Sequence, residues 1–256
     1  MKVKLSVILP GIRYKNWAFF YKKLKESYSG KCELIIISPY DLPKILVGHD
    51  DIKHIKDYGS PSRCQQIGLT AAAGEYITWG ADDGVFIKNK LNEAVNLLEE
   101  NKTSYKDIVV CKYLEGNNID PIMYEDKYYK INFFKNLSSA YIPNDYWILN
   151  VGVVNTKYAK ELGGWDTQFE GTTMAHMDFA VRTQRAGSKY YMLKEPILAC
   201  THTPGVTGDH APIHFAQLEN DEPLFRRIYN SPDCQNKINI DINNWKNAEN
   251  RWKRRF

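Results

Sequence analysis

The chain has 256 residues, of which 43% are hydrophobic and 25% are charged. This composition is that of a globular protein with one α/β domain, or one such domain and an appendage, and it excludes low-complexity and repeat architectures. The net charge of +4 is modest and is concentrated at the end of the chain. A nucleic-acid partner is therefore not expected.

The five cysteines are odd in number, are widely spaced and form no CxxC pair. This spacing argues against a disulfide framework and against a zinc site, and it favours a reducing compartment such as the cytoplasm. The apolar run after Lys2 and Lys4 is too short for a signal peptide or a membrane span. We interpret it as the first strand.

In the first hundred residues, apolar runs alternate with segments of helical spacing, as in a sheet of buried parallel strands with crossover helices. Strands are expected over 3–9, 32–37, 52–55 and 76–79. Helices are expected over 16–27, 63–73 and 89–100. Gly74 is expected to end the second of these helices.

The second half continues this alternation. A strand is expected over 107–113, a strongly apolar run covers 146–155, and further strands are expected over 190–193 and 197–200. Helices are expected over 156–162, 174–186 and 219–230, and a mobile loop rich in glycine, proline and histidine over 201–214. The predicted fold class is α/β, with a mostly parallel central sheet flanked by helices.

Asp82 and Asp83 follow the apolar run Tyr76-Ile77-Thr78-Trp79. Ligands of parallel sheets bind at the carboxyl ends of the strands, so both acids are expected at the ligand crevice. Adjacent carboxylates repel unless a cation or a strong donor lies between them. A divalent metal that carries phosphates explains the pair economically, and a surface turn, for which Asp-Gly is common, is the alternative.

Several features together resemble the nucleotide-binding half of family 2 glycosyltransferases of the GT-A fold. They are the first strand ending at Pro10, a second strand ending in the turn 38–41, Arg63 in the first turn of a helix, the sequence AAGEYITW over 72–79, and Asp82-Asp83. The resemblance implies one GT-A-like domain over residues 1–230 and a basic, aromatic extension over residues 231–256.

The resemblance also implies roles for individual residues. The nucleotide donor would be bound by Pro10, Arg13, Ser38, Asp41 and Arg63, with Asp82 at the ribose. Asp83, helped by Asp82 and by a histidine after the last core strand, would hold Mn²⁺ or Mg²⁺. His202 matches that histidine by position, and His210 and His214 are weaker candidates. The chain departs from the family where Ala81 replaces the usual first aspartate of the acidic motif.

Gly164-Trp165-Asp166 and Phe169-Glu170 are similar to the family's turn between its donor and acceptor parts. In inverting members the next helix opens with a Glu-Asp pair that supplies the catalytic base. Ala175 and His176 stand at those positions here. His176 or Asp178 is the candidate base, and a retaining mechanism, which needs no such base, is the alternative.

The end of the chain combines tryptophans with Lys246, Arg251, Lys253, Arg254 and Arg255. We expect a helical, basic extension that either contacts the inner face of a membrane as a peripheral anchor or docks on the body of the protein.

The resemblance implies metal-dependent transfer of a sugar from a UDP- or GDP-sugar to a hydroxyl group of a glycan or lipid-linked glycan. Two alternatives are open. One is a non-catalytic glycan- or nucleotide-binding relative, because Ala81, Ala175 and His176 stand where acids are expected. The other is a sugar-phosphate nucleotidyltransferase, although the loop PGIRYKNW after the first strand lacks the expected glycine-rich character.

Overall fold

The computed structural model describes residues 2–116, 122–123, 130–131, 146–201, 208–231 and 237–256. Nine strands of this part of the chain form one sheet, in the order β3-β2-β1-β4-β10-β6-β11-β5, with β7 paired to β6. Two further strands, β8 and β9, pair with each other. The strands are β1 (Leu5–Pro10), β2 (Cys32–Ser38), β3 (Ile52–Lys56), β4 (Tyr76–Trp79), β5 (Gly84–Phe86), β6 (Ile108–Gly116), β7 (Ile122–Met123), β8 (Lys130–Ile131), β9 (Tyr146–Trp147), β10 (Gly152–Asn155) and β11 (Tyr190–Thr201).

The main sheet is mixed. The pairs β1-β2, β2-β3, β1-β4 and β6-β11 are parallel. Strand β10 lies antiparallel between β4 and β6, and β5 lies antiparallel to β11. The α/β class predicted from the sequence is confirmed, whereas β10 and β5 keep the sheet from being parallel throughout.

Helices cover both faces of the sheet. They are α1 (Trp17–Ser27), α2 (Pro61–Ala71), α3 (Lys90–Asn101), α4 (Thr156–Glu161), α5 (Thr172–Arg185), α6 (Ala211–Ala216) and α7 (Glu222–Asn230). Helix α2 begins as its sequence indicates, because the Ser60 Oγ atom accepts a hydrogen bond from the Arg63 amide at 3.3 Å and Pro61 opens the first turn.

Alternate side chains of the buried strands face two different cores. Leu5, Val7 and Leu9 of β1 pack with α1 and α3, whereas Ile8 packs with α2 and the other helices of the opposite face. Both faces of β1 are therefore apolar, as expected of a strand between two helical layers. This arrangement fixes β1 at the centre of the domain.

The parallel register brings the loops after three strands to one edge of the sheet. Pro10 of β1 is opposite Ile37 of β2, and Ile8 is opposite Trp79 of β4. The loops that begin at Gly11, Pro39 and Gly80 therefore lie side by side. This edge is the expected ligand crevice of an open α/β sheet.

Some local predictions are wrong. Helix α2 ends at Ala71, and its C-cap is Ala72 rather than Gly74, whose backbone packs too close to Ser6 for a Cβ atom. The two strands expected over 190–200 form the single strand β11, which has a register irregularity around Pro196. Part of the expected mobile loop, 208–214, lies in a 3-10 turn and in helix α6, while residues 202–207 lie outside the described part of the chain.

The segment 237–256 is not the helix that its composition suggested. Apart from a 3-10 turn over Asn244–Asn247 it is irregular, and it packs on the body of the domain. Trp245 lies against the core and Trp252 is only 3% exposed. The tryptophans are thus directed inward, so the packing gives no support to a membrane anchor. No helix within the described ranges is long and apolar enough to cross a membrane.

Candidate functional site

A cavity of about 320 Å³ opens at the edge where β1, β2 and β4 end. Its wall combines the loops after these strands with the beginnings of α2 and α5 and with parts of β6 and β11. Its charged side chains and histidines are Arg13, Asp82, Asp83, Glu115, His176, His210 and Arg255. Convergence of ionisable groups in one cleft is typical of a binding or catalytic site.

Asp82 ties the loop after β1 to the loop after β4. Its Oδ2 atom accepts hydrogen bonds from the backbone amides of Ile12 (2.6 Å) and Arg13 and from Trp17 Nε1 (3.2 Å). Its Oδ1 atom accepts from Arg13 Nη1 at 2.7 Å. Because protein donors occupy both oxygens of this buried carboxylate, its main visible role is to fix the loop that carries Arg13.

Asp83 is held differently. Its Oδ2 atom lies 3.0 Å from His210 Nε2 and 3.9 Å from Arg13 Nη2. Its Oδ1 atom is buried and has no hydrogen-bond partner in the described chain. A buried carboxylate oxygen without a donor is costly unless a ligand or cation satisfies it. Asp83 is therefore the acid of the pair that is available to a ligand.

Arg13 joins three carboxylates across the cavity mouth. Besides Asp82 and Asp83 it contacts Asp209, with Nε 2.8 Å from the Asp209 Oδ2 atom. Desolvation alone would lower the pKa of Arg13, but the nearby aspartates outweigh it, so the pKa of the guanidinium is raised. Arg13 is accordingly a fixed cation of the site.

Six residues predicted from the sequence line the cavity together, namely Pro10, Arg13, Asp82, Asp83, His176 and the weaker candidate His210. Ser38, Asp41, Arg63 and Asp178 do not line it. The Ser38 Oγ atom accepts from the Tyr40 amide at 3.1 Å, and the exposed Asp41 pairs with Lys56 at 2.7 Å. His202 lies outside the described residues. All these assignments to donor, base or metal stay predictions.

Arg63 faces away from the cavity, toward the 237–256 segment. Its guanidinium forms hydrogen bonds with both carboxylate oxygens of Asp57, the closest at 2.9 Å. It also donates to the backbone carbonyls of Trp245 and Ala248. Arg63 thus anchors this segment to the start of α2.

Asp178 belongs to a buried ion-pair network in the helical layer. Its Oδ2 atom accepts from Arg182 Nε at 2.7 Å, and its Oδ1 atom accepts from Tyr229 at 2.7 Å and Lys237 at 2.8 Å. Burial would raise the pKa of Asp178, but the two cations outweigh it and lower the pKa to about 2. A carboxylate that is fully buried and paired in this way, away from the cavity wall, cannot contact a substrate hydroxyl in the cavity.

His176 does line the cavity, between the rings of Trp79 (centroids 5.5 Å apart) and Trp165 (6.2 Å). Its Nε2 atom donates to Gln65 Oε1 at 3.0 Å. Burial lowers the pKa of His176 to about 3, because the apolar surroundings disfavour the imidazolium. The ring is therefore neutral at physiological pH and is a weak base.

The structure adds residues that the sequence did not single out. Gln65, on α2, lines the cavity, is 1% exposed, and its Nε2 atom has no partner in the described chain. Glu115 and Arg255 enter the wall from β6 and from the 237–256 segment. The position of Gln65, two residues after Arg63 in a helix already assigned to the crevice, was the one available indication. The tertiary placement of Glu115 and Arg255 left no local pattern.

No protein-family model matches the sequence, and no curated protein matches it. Solved structures of S. aureus TarS match in fold. A structure of TarS 1-349 has a TM-score of 0.57 and 15% identity, and the match covers 78% of this chain and 60% of that one. The UDP complex has a TM-score of 0.58 and 16% identity, and the match covers 86% of this chain and 67% of that one. The UDP-GlcNAc complex has a TM-score of 0.54 and 17% identity, and the match covers 86% of this chain and 68% of that one.

TarS is a glycosyltransferase with a GT-A-like fold. At this level of identity the similarity defines the fold of the present chain, which is GT-A-like. The chain spans 60% of the first of these TarS structures. Membership of family 2 itself stays a prediction, because no family model matches.

Proposed function

We propose that the protein is a glycosyltransferase that moves a sugar from a UDP- or GDP-sugar to a hydroxyl group of a glycan or lipid-linked glycan. The observation that carries this proposal is the state of Asp83. In a GT-A-like fold, it stands at the carboxyl end of β4 with one oxygen beside His210 and the other buried without a donor. In the transfer, the bond between the anomeric carbon and the diphosphate breaks and the nucleoside diphosphate leaves with the electron pair. The acceptor oxygen bonds to the anomeric carbon, and its proton passes to water.

The donor class is supported by the cavity and by the neighbours. TarS structures contain UDP and UDP-GlcNAc. The present cavity has a volume typical of small-molecule sites and carries a fixed cation, Arg13, at its mouth. In the proposed complex, the Asp82 clamp keeps the loop after β1 in position, and Gln65 Nε2 offers a hydrogen bond to an oxygen of the ligand.

The residues present fit a hard divalent cation such as Mn²⁺ or Mg²⁺. Asp83 and His210 would supply oxygen and nitrogen ligands. The cation would also interact with the Asp83 Oδ1 atom, which is buried and has no hydrogen-bond partner in the described chain. No group of three His, Cys, Asp or Glu side chains converges as a metal site among the residues described. The nucleotide would thus complete the shell. When bound, the ion supplies charge neutralisation of the departing diphosphate.

A second candidate function is nucleotide or glycan binding without turnover. It is favoured by the surroundings of His176 and Asp178, the two predicted bases, which suit neither to catalysis. His176 has a pKa of about 3, and Asp178 is sealed in an ion-pair network. Neither combines access to the cavity with a pKa suited to proton removal near neutral pH. A binding protein would need only the cavity and its cations.

Donor hydrolysis separates these functions. Purified protein is incubated with a panel of UDP- and GDP-sugars and Mn²⁺, nucleotide release is measured, and nucleotide affinity is determined by calorimetry. The variant is Asp83→Ala, and the matched control is Asp50→Ala, which removes an exposed carboxylate. We expect release by the wild type and the control, and a loss of at least about 10-fold in Asp83→Ala.

Each other outcome has a defined meaning. Nucleotide binding by the wild type without release from any sugar nucleotide, in the presence or absence of glycan acceptors, supports the second candidate. No affinity for any nucleoside diphosphate or sugar nucleotide contradicts both. Equal release by Asp83→Ala and the wild type contradicts the role given to Asp83.

A further inference from the structure

The end of the 237–256 segment is fastened beside the cavity. Arg251 forms a parallel bridge with Tyr58, and the Trp252 amide donates to the Tyr58 carbonyl at 2.8 Å. The buried indole of Trp252 donates from Nε1 to Glu170 Oε2 at 2.5 Å. Arg254 pairs with the same Glu170 carboxylate at 2.7 Å. These contacts hold residues 251–256 against the domain at defined positions.

This attachment brings Arg255 and Phe256 into the cavity wall. The Phe256 ring meets Tyr58 edge-on, with centroids 5.7 Å apart. The Arg255 guanidinium lies 5.4 Å from the centroid of the Trp252 ring, and it donates to the backbone carbonyl of Asp209. Arg255 is thus placed at the same mouth of the cavity as Arg13.

The two guanidiniums differ in how their charge is compensated. Arg13 is neutralised by three aspartates, at 2.7, 2.8 and 3.9 Å. Arg255 forms no ion pair with a carboxylate in the ranges that the structure describes, and the one acceptor of its guanidinium there is a neutral carbonyl. Desolvation, followed by repulsion from Arg13, lowers the pKa of Arg255. A half-buried cation in this state is stabilised when an anion enters the cavity.

We propose that Arg255 is a donor-binding residue that contacts the diphosphate of the nucleotide. The inference rests on the proposed function. A guanidinium suits this task because its planar fork can donate two hydrogen bonds to phosphate oxygens. The metal pair Asp83 and His210 would lie on one side of the diphosphate and Arg255 on another. The 251–256 segment is then a part of the donor site that the first strands of the fold do not supply.

The test compares the affinities of UDP and uridine, measured by calorimetry in the presence of Mn²⁺. Arg255→Gln should weaken UDP binding by about 10- to 100-fold and leave uridine binding unchanged, because only UDP carries the diphosphate. Arg255→Lys should bind UDP with intermediate affinity, since it keeps the charge but loses the fork. The matched control is Arg251→Gln, whose side chain is exposed, and it should bind UDP as the wild type does. The melting temperatures of these variants report whether each is folded.

The outcomes distinguish this inference from the function on which it rests. Equal UDP affinity of Arg255→Gln and the wild type overturns the inference and leaves the proposed function intact. An equal loss of affinity for UDP and uridine also overturns it, because the effect would not involve the diphosphate. A selective loss for UDP in a protein that never releases nucleotide supports Arg255 while the proposed function fails. If the wild type binds neither UDP nor GDP, both the inference and the proposed function are overturned.

Discussion

His210 Nε2 lies 3.0 Å from Asp83 Oδ2, although 127 residues separate the two in the sequence. If both are metal ligands, UDP binds more tightly with Mn²⁺ than without it, and His210→Ala loses most of this gain. We expect the gain to fall at least about 10-fold in His210→Ala, because one of the two proposed ligands among the described residues is removed. Calorimetric titration with UDP at fixed Mn²⁺ measures it.

The control for this variant is His49→Ala, which removes an exposed histidine and should keep the full gain. A different result would revive the assignment made from the sequence. If His210→Ala keeps the Mn²⁺ gain and His202→Ala loses it, His202 is the ligand and the contact between His210 and Asp83 is structural.

The Asp82 clamp predicts a stability effect that Asp83 should not share. Asp82→Ala removes the acceptor of two backbone amides, one indole and the Arg13 guanidinium. We expect the free energy of unfolding, measured by urea denaturation, to fall by about 2–4 kcal/mol. Asp83→Ala should change it by less than about 1 kcal/mol, because one oxygen of Asp83 has no donor to lose.

The opposite pattern would restore the sequence-based roles of Asp82 at the ribose and the metal. That pattern is an Asp82→Ala variant with wild-type stability that no longer gains UDP affinity from Mn²⁺. Urea denaturation and calorimetry on the same preparation distinguish the two roles.

The parts of the fold that local patterns determine could be predicted from the sequence. The apolar run Tyr76–Trp79 is β4, and the acids after it do lie at the cavity, because a buried strand and its following turn are both specified within a few residues. Helix α2 starts at its serine cap for the same reason. The GT-A-like class was implied by the resemblance of these elements and their motifs to family 2 glycosyltransferases.

The roles of individual side chains could not be predicted in this way, because their partners are distant in the sequence. Asp82 accepts hydrogen bonds from backbone amides that lie 69 and 70 residues earlier in the sequence. Arg63 donates to backbone carbonyls that lie 182 and 185 residues later. Asp178 meets Lys237 across 59 residues. The helix expected at the end of the chain did not form, since Trp252 and Arg254 find individual partners on the domain instead.

Asp178 provides a test of structure against catalysis. Asp178→Ala leaves Arg182 as an uncompensated buried cation, removes one of the two carboxylates that pair with Lys237, and deprives Tyr229 of its acceptor. We expect the free energy of unfolding to fall by about 3–5 kcal/mol, with UDP affinity unchanged at temperatures where the variant is folded. Thermal denaturation and calorimetry measure the two. A fully stable variant that binds UDP but has lost turnover would instead identify Asp178 as the base.

His176 predicts how stability depends on pH. Its pKa is about 3 in the folded protein and about 6.5 when unfolded, because burial disfavours the charged ring. Between these values the unfolded chain binds a proton that the folded protein does not. The contribution of the neutral His176 ring to the free energy of unfolding is therefore fully present above pH 6.5. It is lost as the pH falls toward 3, by up to about 1.4 kcal/mol per pH unit.

Replacing the imidazole removes this pH dependence of the free energy of unfolding. In His176→Gln, an amide donor can still reach Gln65, so we expect a loss of only about 1 kcal/mol at pH 7.5. Between pH 6.5 and 4.5 the wild type should lose about 2–3 kcal/mol more than the variant, measured by urea denaturation at a series of pH values. The exposed His49, replaced by Gln, should leave the wild-type pH profile unchanged. Parallel profiles for the wild type and His176→Gln would show that the pKa of His176 is not lowered by folding, and would restore it as a candidate base.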